Sequence, residues 1–564
     1  MNKDFLERVI RRLRLMLRIA FSRTAIIVVA LLLQLFVFFA SFYWLKDYST
    51  VVYAAFVLLG AVTVVHILNE ENNASFKIAW IIPVLVIPVF GTVLYIYINL
   101  QPGTKRIHKK LTKIEDEIRP YLAQNEETVQ ELQEQSAGEK GIADYLYHAD
   151  NYPVYAGCKM KYYPIGEAKF ADMIEQLKRA EHFIFMEYFI VTKSYMWNTI
   201  LEILKEKAAQ GVEVRMMYDG MCSLALLPYG YYKDLEKMGI QSIPFSQIRP
   251  VLSTYQNNRD HRKILIIDGK TVFTGGINLA DEYINRIDRF GHWKDTAVMI
   301  QGEAVKSFTL LFLKMWHVAK GKDSIPQEEI RKYTVSVWEN AQTGDMCTDM
   351  ESMRNTAMQN TQDKKLHAGG YVIPYGDDPY GDERIGKQVY IDILNRARKY
   401  VHIMTPYLIL DDEMITALRY CAKRGVETVI IMPHIPDKIY AYLLARTYYK
   451  QLLKYGVKIY EYTPGFVHAK VFVSDDIRGC VGTINLDFRS LYLHFECGAY
   501  MYSNDVLHDV EQDFKETLKV DSWAIVPNMT QYMAVDMSGL IKIHAGPSTV
   551  CLSPHGPPQA PGCR

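Results

Sequence analysis

Three long apolar runs open the chain, over residues 24–45, 51–68 and 78–100, and none contains an Asp, Glu, Lys or Arg. Each approaches the roughly 20 residues that carry a helix across about 30 Å of hydrocarbon. The pattern therefore predicts a multi-pass transmembrane helical region over 24–100. The runs follow one another with short connections, which argues against buried helices of a soluble core. The length of the first run, and the lack of a small-residue cleavage site after it, argue against a removed leader. Pro83 and Pro88 interrupt the third run and predict a kink or a re-entrant segment there. Ahead of the runs, Arg8, Arg11, Arg12, Arg14 and Arg18 interleave with apolar residues. Residues 1–23 thus read as a basic amphipathic segment suited to an anionic membrane surface.

A second basic cluster, Lys105, Arg106, Lys109, Lys110 and Lys113, follows the third run. The positive-inside tendency puts the N-terminus in the cytoplasm. Three crossings would then put this second cluster outside, whereas two crossings and a re-entrant segment would keep it inside. Sidedness stays open on sequence. Residues 101–150 are polar and Glu/Gln-rich, with a Gly-containing break at 136–141, and read as a juxtamembrane helix and linker.

Beyond residue 150 the pattern changes to short buried-strand runs alternating with amphipathic helices, and it does so twice. The segment RAEHFIFMEYFIV at 179–191 has a counterpart in RARKYVHIMTPYL at 396–408. The segment ILEILKEKAAQGVEV at 200–214 parallels MITALRYCAKRGVET at 414–428, each a helix closed by Gly before a β-rich run. This predicts two copies of an α/β unit, at 151–345 and 346–525.

One motif sits at the same place in both copies. His261, Lys263 and Asp268 form HxKxxxxD, followed by Gly275 and Asn278; His468, Lys470 and Asp475 repeat it, followed by Gly482 and Asn485. On a strand, residues two apart share a face, so each His projects with its Lys. The aspartates have the opposite parity and fall at a turn, which predicts that they hold a loop. A lone His–Lys pair on a strand is ordinarily a solvated polar patch. Duplication changes this: a pseudo-twofold would bring two imidazoles, two ammonium groups and two amides around one phosphodiester. Lysines and amides stabilise charge on the non-bridging oxygens, while one imidazole attacks and the other supplies a proton. That chemistry calls for no cofactor and no metal.

Composition narrows the partners. Lys+Arg number 64 against Asp+Glu 63, a balance that disfavours a nucleic-acid binder working by bulk charge. The eight cysteines lack zinc-ligand spacing and read mostly as small buried side chains. Residues 526–564 form a C-terminal tail, and its Gly/Pro/Ser-rich end predicts partial disorder.

The duplicated motif resembles that of the phospholipase D superfamily and, more narrowly, of bacterial cardiolipin synthases. GGINLADEYI at 275–284, GTINLDFRS at 482–490 and AWIIP at 79–83 add to the likeness, which runs from about residue 50 to 520. The resemblance implies two phospholipase D-like α/β/α units related by a pseudo-twofold, after the transmembrane region, in a bacterial plasma membrane. It implies phosphatidyl transfer between two phosphatidylglycerol molecules, giving cardiolipin and glycerol through a phosphatidyl-histidine. His261, Lys263, Asp268, His468, Lys470 and Asp475 are the candidate catalytic set, with His261 as nucleophile by likeness alone. Asn278, Asn485, Asp295 and Glu496 are grouped around the substrate, the two acids matching residues that orient the histidines. The partners implied are phosphatidylglycerol and anionic membrane lipid, with oligomeric state left open. A lipid-hydrolysing phospholipase D is the alternative, since it differs only in whether water reaches the intermediate. A nuclease and a decayed scaffold fit less well, because the spans disfavour the first and both motifs are complete.

Overall fold

The computed structural model describes residues 36, 49–71, 73–99, 102–222, 226–246, 257–334, 367–381, 383–520 and 522–524. The amphipathic segment at 1–23, nearly all of the first apolar run and the tail at 526–564 lie outside them. The chain divides into two units, one of residues 1–109 with 248–257 and the other of the remainder.

In the first unit the second apolar run is a helix, α1 (Ser49–Asn69), on which Val51, Leu58, Val62, Val65 and Leu68 are each more than half exposed. The third run is not one helix. It breaks at Ile87 into α2 (Ala74–Val86) and α3 (Pro88–Asn99). Pro88 has no N–H to continue the ladder, and the Ile87 N–H closes α2 on the Pro83 carbonyl. The two arms fold back on one another: Trp80 meets Tyr95 edge-on at 5.5 Å between ring centres. A side chain at Gly91 would come within 2.4 Å of the Pro83 oxygen, so glycine lets the arms touch. Ile67, Val84 and Tyr95 form the small core where all three helices meet. Among the described residues no helix is long and apolar enough to cross a membrane.

The second unit contains both copies of the repeat. Seven strands in each are laid out in the same order. In the first sheet they run Lys159–Tyr163, Ala297–Gln301, Thr271–Gly275, Lys263–Ile267, Phe183–Tyr188, Glu213–Asp219 and Gln241–Phe245. In the second they run Tyr371–Asp377, His494–Tyr502, Arg478–Gly482, Val471–Ser474, Tyr400–Met404, Glu427–Pro433 and Lys458–Tyr462. Three strands at one end of each sheet are parallel and the rest antiparallel. The central strands FIFMEY and KILII are buried along their whole length, as aromatic and branched residues between two helical layers should be. The Gly residues expected to end the crossover helices, Gly211 and Gly425, do so with φ of +93° and +87°, where glycine carries no Cβ penalty.

The halves are laced together. Tyr155–Ala156, from the first, adds an edge strand to the second sheet, and His367–Ala368 adds one to the first. Arg259–Asp260 pairs in parallel with His494–Phe495, and Gly465–Val467 pairs in parallel with His292–Lys294. These last two ladders correspond under the pseudo-twofold. Residues 126–150, read from sequence as part of a linker, are instead built into the second half as helices Glu126–Gln135 and Ala137–Asp150. Ser136 caps the second of these, and its Glu139 is fully buried between Arg396, Arg478 and the Tyr500 hydroxyl. A buried carboxylate with such partners makes this stretch part of the folded unit.

The motif aspartates lie past the far ends of their strands, about 15 Å along the chain from the lysines. Asp268 accepts hydrogen bonds from the backbone N–H groups of Glu181, His182 and Phe183, and Asp475 from those of Arg398, Lys399 and Tyr400. Their place in the candidate catalytic set is corrected: each ties the start of one central strand to the end of its neighbour. Asp268→Ala should cost about 2–3 kcal/mol, the scale for hydrogen bonds to a charged acceptor. Asp268→Asn, which keeps Oδ1 for His182 and Phe183, should lose about half as much. Thermal unfolding of the two variants checks the order, with activity per folded molecule retained.

Candidate active site

The two parallel ladders bring the motif histidines to the seam between the halves. The His261 N–H donates to the Phe495 carbonyl at 2.9 Å, and the His468 N–H to the Lys294 carbonyl at 2.7 Å. Each histidine is thereby anchored on a strand of the opposite half, one residue from an acid. The side chains cross as well. His261 Nδ1 lies 2.9 Å from both oxygens of Glu496, and His468 Nδ1 lies 2.6 Å from Asp295 Oδ2. Asp295 and Glu496, grouped from sequence around the substrate and matched to residues that orient the histidines, each bond to the imidazole of the other copy.

Asp295 is held by the Thr296 N–H, and Glu496 by the Thr483 hydroxyl at 2.5 Å. Thr483 and Gly276 occupy the same place in their motifs. Glycine is required at 276, since a Cβ there would lie 2.0 Å from Asp295 Oδ1.

All four histidine and carboxylate groups are buried. Burial pushes His261 well below its ordinary 6.5, with Lys263 and His494 adding to the effect and Glu496 opposing it. Burial and Lys470 bring His468 down to about 4 against the pull of Asp295. Burial alone would raise the two acids, but each is held below its usual range by the facing histidine and a lysine. Both couples are therefore neutral imidazole against ionised carboxylate, with Nδ1–H donating and Nε2 free as a base. Lys263 and Lys470 each donate to the backbone carbonyl of their own histidine. Burial lowers them to about 8 and about 7. Each lysine also interacts electrostatically with both acids, so all these charges share one site.

The two asparagines part company. Asn278 uses both ends of its amide, accepting from the Ile190 N–H and donating to the Tyr283 hydroxyl, so it braces the wall of the site. Asn485 is buried with its Oδ1 unpartnered.

Three neighbours escaped the sequence reading. His494 lies 5.4 Å from His261 between ring centres. It is signalled only by sharing strand parity with Glu496. Trp293, its pseudo-twofold counterpart, lies the same 5.4 Å from His468. Lys169 is fully buried, lowered to about 7 by burial, and interacts with Asp295 and Lys263. It sits 92 residues ahead of His261 with no local signal.

A family model described as "Cardiolipin synthase, PLD-like domain" matches residues 173–316 and 390–518. A second, for a phospholipase D-nuclease N-terminal region, matches 58–98. An uncharacterized protein of Streptococcus mutans is 49% identical over 81% of this chain and 93% of its own. A cardiolipin synthase of Geobacillus kaustophilus is 31% identical over 80% of this chain and 84% of its own, and cardiolipin synthase 2 of Bacillus anthracis is 32% identical over 80% and 82%. The chain belongs to the bacterial cardiolipin synthase family of the phospholipase D superfamily. It is a phosphatidyltransferase of that superfamily.

Gly276→Ala should push Asp295 off His468 and leave an imidazole of unfixed tautomer. A fall in kcat of at least tenfold is expected, together with a lowered thermal midpoint in a protein that still folds, read from initial rates and a melting scan.

Proposed function

We propose that the protein transfers a phosphatidyl group from one phosphatidylglycerol to another, giving cardiolipin and glycerol, with His261 as nucleophile. The observation that carries this reading is the pair of crossed imidazole–carboxylate bonds. They supply two neutral bases in one buried site, with lysines at hand to compensate a phosphodiester.

The two histidines have different surroundings, and this favours a division of labour. His468 has the rings of Trp293 at 5.4 Å, Tyr283 at 5.5 Å and Phe466 at 5.7 Å around it. Each histidine has a lysine that disfavours charge, and His261 has Phe189 at 4.7 Å, but His261 alone of the two has a second imidazole, His494, beside it to disfavour a positive charge further. In the first step Nε2 of His261 bonds to phosphorus. His468 has by then taken a proton from solvent on Nε2 as the anionic phosphodiester entered; the bond from phosphorus to the glycerol oxygen breaks, and that oxygen takes this proton. In the second step the hydroxyl of another phosphatidylglycerol gives its proton to His468 and its oxygen bonds to phosphorus. The N–P bond breaks and His261 returns to its starting form. Splitting the displacement in two is the ordinary gain of covalent catalysis.

A lipid substrate calls for a lipid surface. The exposed valines and leucines of α1, together with Ile78, Ile82, Leu85 and Val86 on α2, support a first unit immersed in the bilayer. The hairpin of α2 and α3 supports a re-entrant third segment, with both of its ends on one face of the membrane. Such a segment keeps the basic cluster at 105–113 on the side where the positive-inside tendency puts it.

Purified protein given phosphatidylglycerol should release cardiolipin and glycerol in equal amounts, and His261→Ala and His468→Ala should each lower the rate at least 10³-fold. Phosphatidic acid as the main product would instead indicate hydrolysis, and near-normal synthesis by either variant would overturn the two-histidine scheme.

The pH profile has a defined sign. His468 loses its acid form above about 4 in the free site, and the lysines with lowered values lose their charge above about 7 and about 8, so kcat/KM should fall as pH rises, most steeply through 7–8. His261 is neutral down to well below 6.5, so the acid limb should begin well under that value. Initial rates from pH 4 to 10 test both limbs.

A further inference from the structure

His494 is buried, yet neither of its ring nitrogens has a hydrogen-bond partner. Two unpaired imidazole nitrogens in a closed polar site are costly unless something is to be held there. Its Nδ1 lies 3.6 Å from Glu496 Oε1, just outside hydrogen-bond reach. Glu496 Oε1 is in turn 2.9 Å from His261 Nδ1. One donor atom from each of His261, His494 and Glu496 falls within 4.8 Å of the other two.

Donor atoms about 3.4 Å apart are what bonds near 2.1 Å at tetrahedral angles produce, and two imidazoles with one carboxylate are a known zinc donor set. The separations of 2.9 and 3.6 Å bracket that value. The pseudo-twofold gives a built-in contrast: beside His468 the corresponding residue is Trp293, whose indole has no lone pair to offer. Among the described residues, the three-donor cluster lies on the His261 side.

We propose that His261, His494 and Glu496 form an inhibitory site for a borderline-soft divalent cation such as Zn²⁺. The inhibitory consequence rests on the reading of His261 as nucleophile; the binding site does not. A neutral imidazole carries one proton. In the metal-free site that proton is on Nδ1, facing Glu496, and Nε2 holds the lone pair that attacks phosphorus. Coordination through Nδ1 needs the lone pair there, so the proton moves to Nε2 and no proton leaves the site. The nucleophile is then the wrong tautomer, and Glu496 is engaged by the metal. Imidazole donors suit Zn²⁺ and Cu²⁺, whereas Mg²⁺ prefers oxygen ligands and retains its waters.

The test titrates zinc chloride into the full-length protein in detergent micelles. Calorimetry should give one site per chain, weakened at least tenfold in His494→Asn and in His494→Gln. Wild-type turnover of phosphatidylglycerol should fall as that site fills and recover on chelation, with magnesium chloride without effect. Half-inhibition of either variant should need at least tenfold more zinc. Co²⁺ should give the intense visible bands of a tetrahedral site in the wild type, which does not depend on how any variant folds. Equal zinc affinity in wild type and variants, no tetrahedral Co²⁺ spectrum, or a filled site with undiminished turnover would each overturn the proposal. If the protein binds zinc as described but does not convert phosphatidylglycerol, the site stands and the functional reading fails.

Discussion

Everything in the catalytic unit depends on two buried hydrogen bonds that cross its midline, His261 to Glu496 and His468 to Asp295. Each joins a base from one half to an acid from the other, so neither half holds a complete couple. Removing one partner of such a buried pair leaves an uncompensated charge, at a cost of about 3–5 kcal/mol. The crossed ladders beside them, 259–260 with 494–495 and 465–467 with 292–294, fix the register in which the couples meet. The exchange of edge strands at Tyr155–Ala156 and His367–Ala368 then fastens the outer rims. The fold is thus two copies of one unit, while the chemistry is a property of their seam.

The motif was legible because strand parity is a local rule. His261 and Lys263 share a face, Asp268 has the other parity, and the structure gives Asp268 to the backbone of residues 181–183. The duplication of the unit was legible from helices ending at Gly211 and Gly425, whereas the shared strand order was not. What sequence could not give was which acid serves which histidine. Both Asp295 and Glu496 stand at the expected place, and the crossing appears only when the halves are docked. Lys169 escaped because long-range burial leaves no local trace. Glu139 was hidden in a polar stretch, where a carboxylate meant for two arginines looks like any solvated one. The break at Ile87 was foreshadowed by its prolines, but its outcome as a hairpin needed Gly91 against Pro83.

Departures from symmetry are as informative as the symmetry. Gly276 gives way to Thr483, which adds a hydroxyl bond to Glu496 where Asp295 has none from a corresponding side chain. Trp293 gives way to His494. Arg262, buried between the motif His and Lys of the first copy and paired with Glu187 at 2.8 Å, is matched by Ala469 in the second. Chemistry at a site with two identical couples would have no preferred direction. These substitutions leave the scaffold intact and give the two imidazoles different neighbours, which the proposed sequence of attack followed by proton return would use.

The charge balance of the free site explains why burial on this scale is compatible with a stable fold. Two ionised carboxylates face neutral imidazoles, and Lys263, Lys470 and Lys169 sit close to neutral pH in their titration. Desolvation has drawn protons off these groups to a degree that water would never permit. A phosphodiester brings one negative charge into the same low-dielectric space, and every neighbouring base responds by holding its proton more tightly. In the proposed scheme the lysines then hold their full charge, and His468 gains the proton that it gives to the departing glycerol oxygen. Substrate binding therefore arms the acid. On the proposed reading, the same depression that keeps the free site close to neutral overall leaves Nε2 of both histidines unprotonated until an anion arrives, and the lipid itself would set the catalytic protonation state.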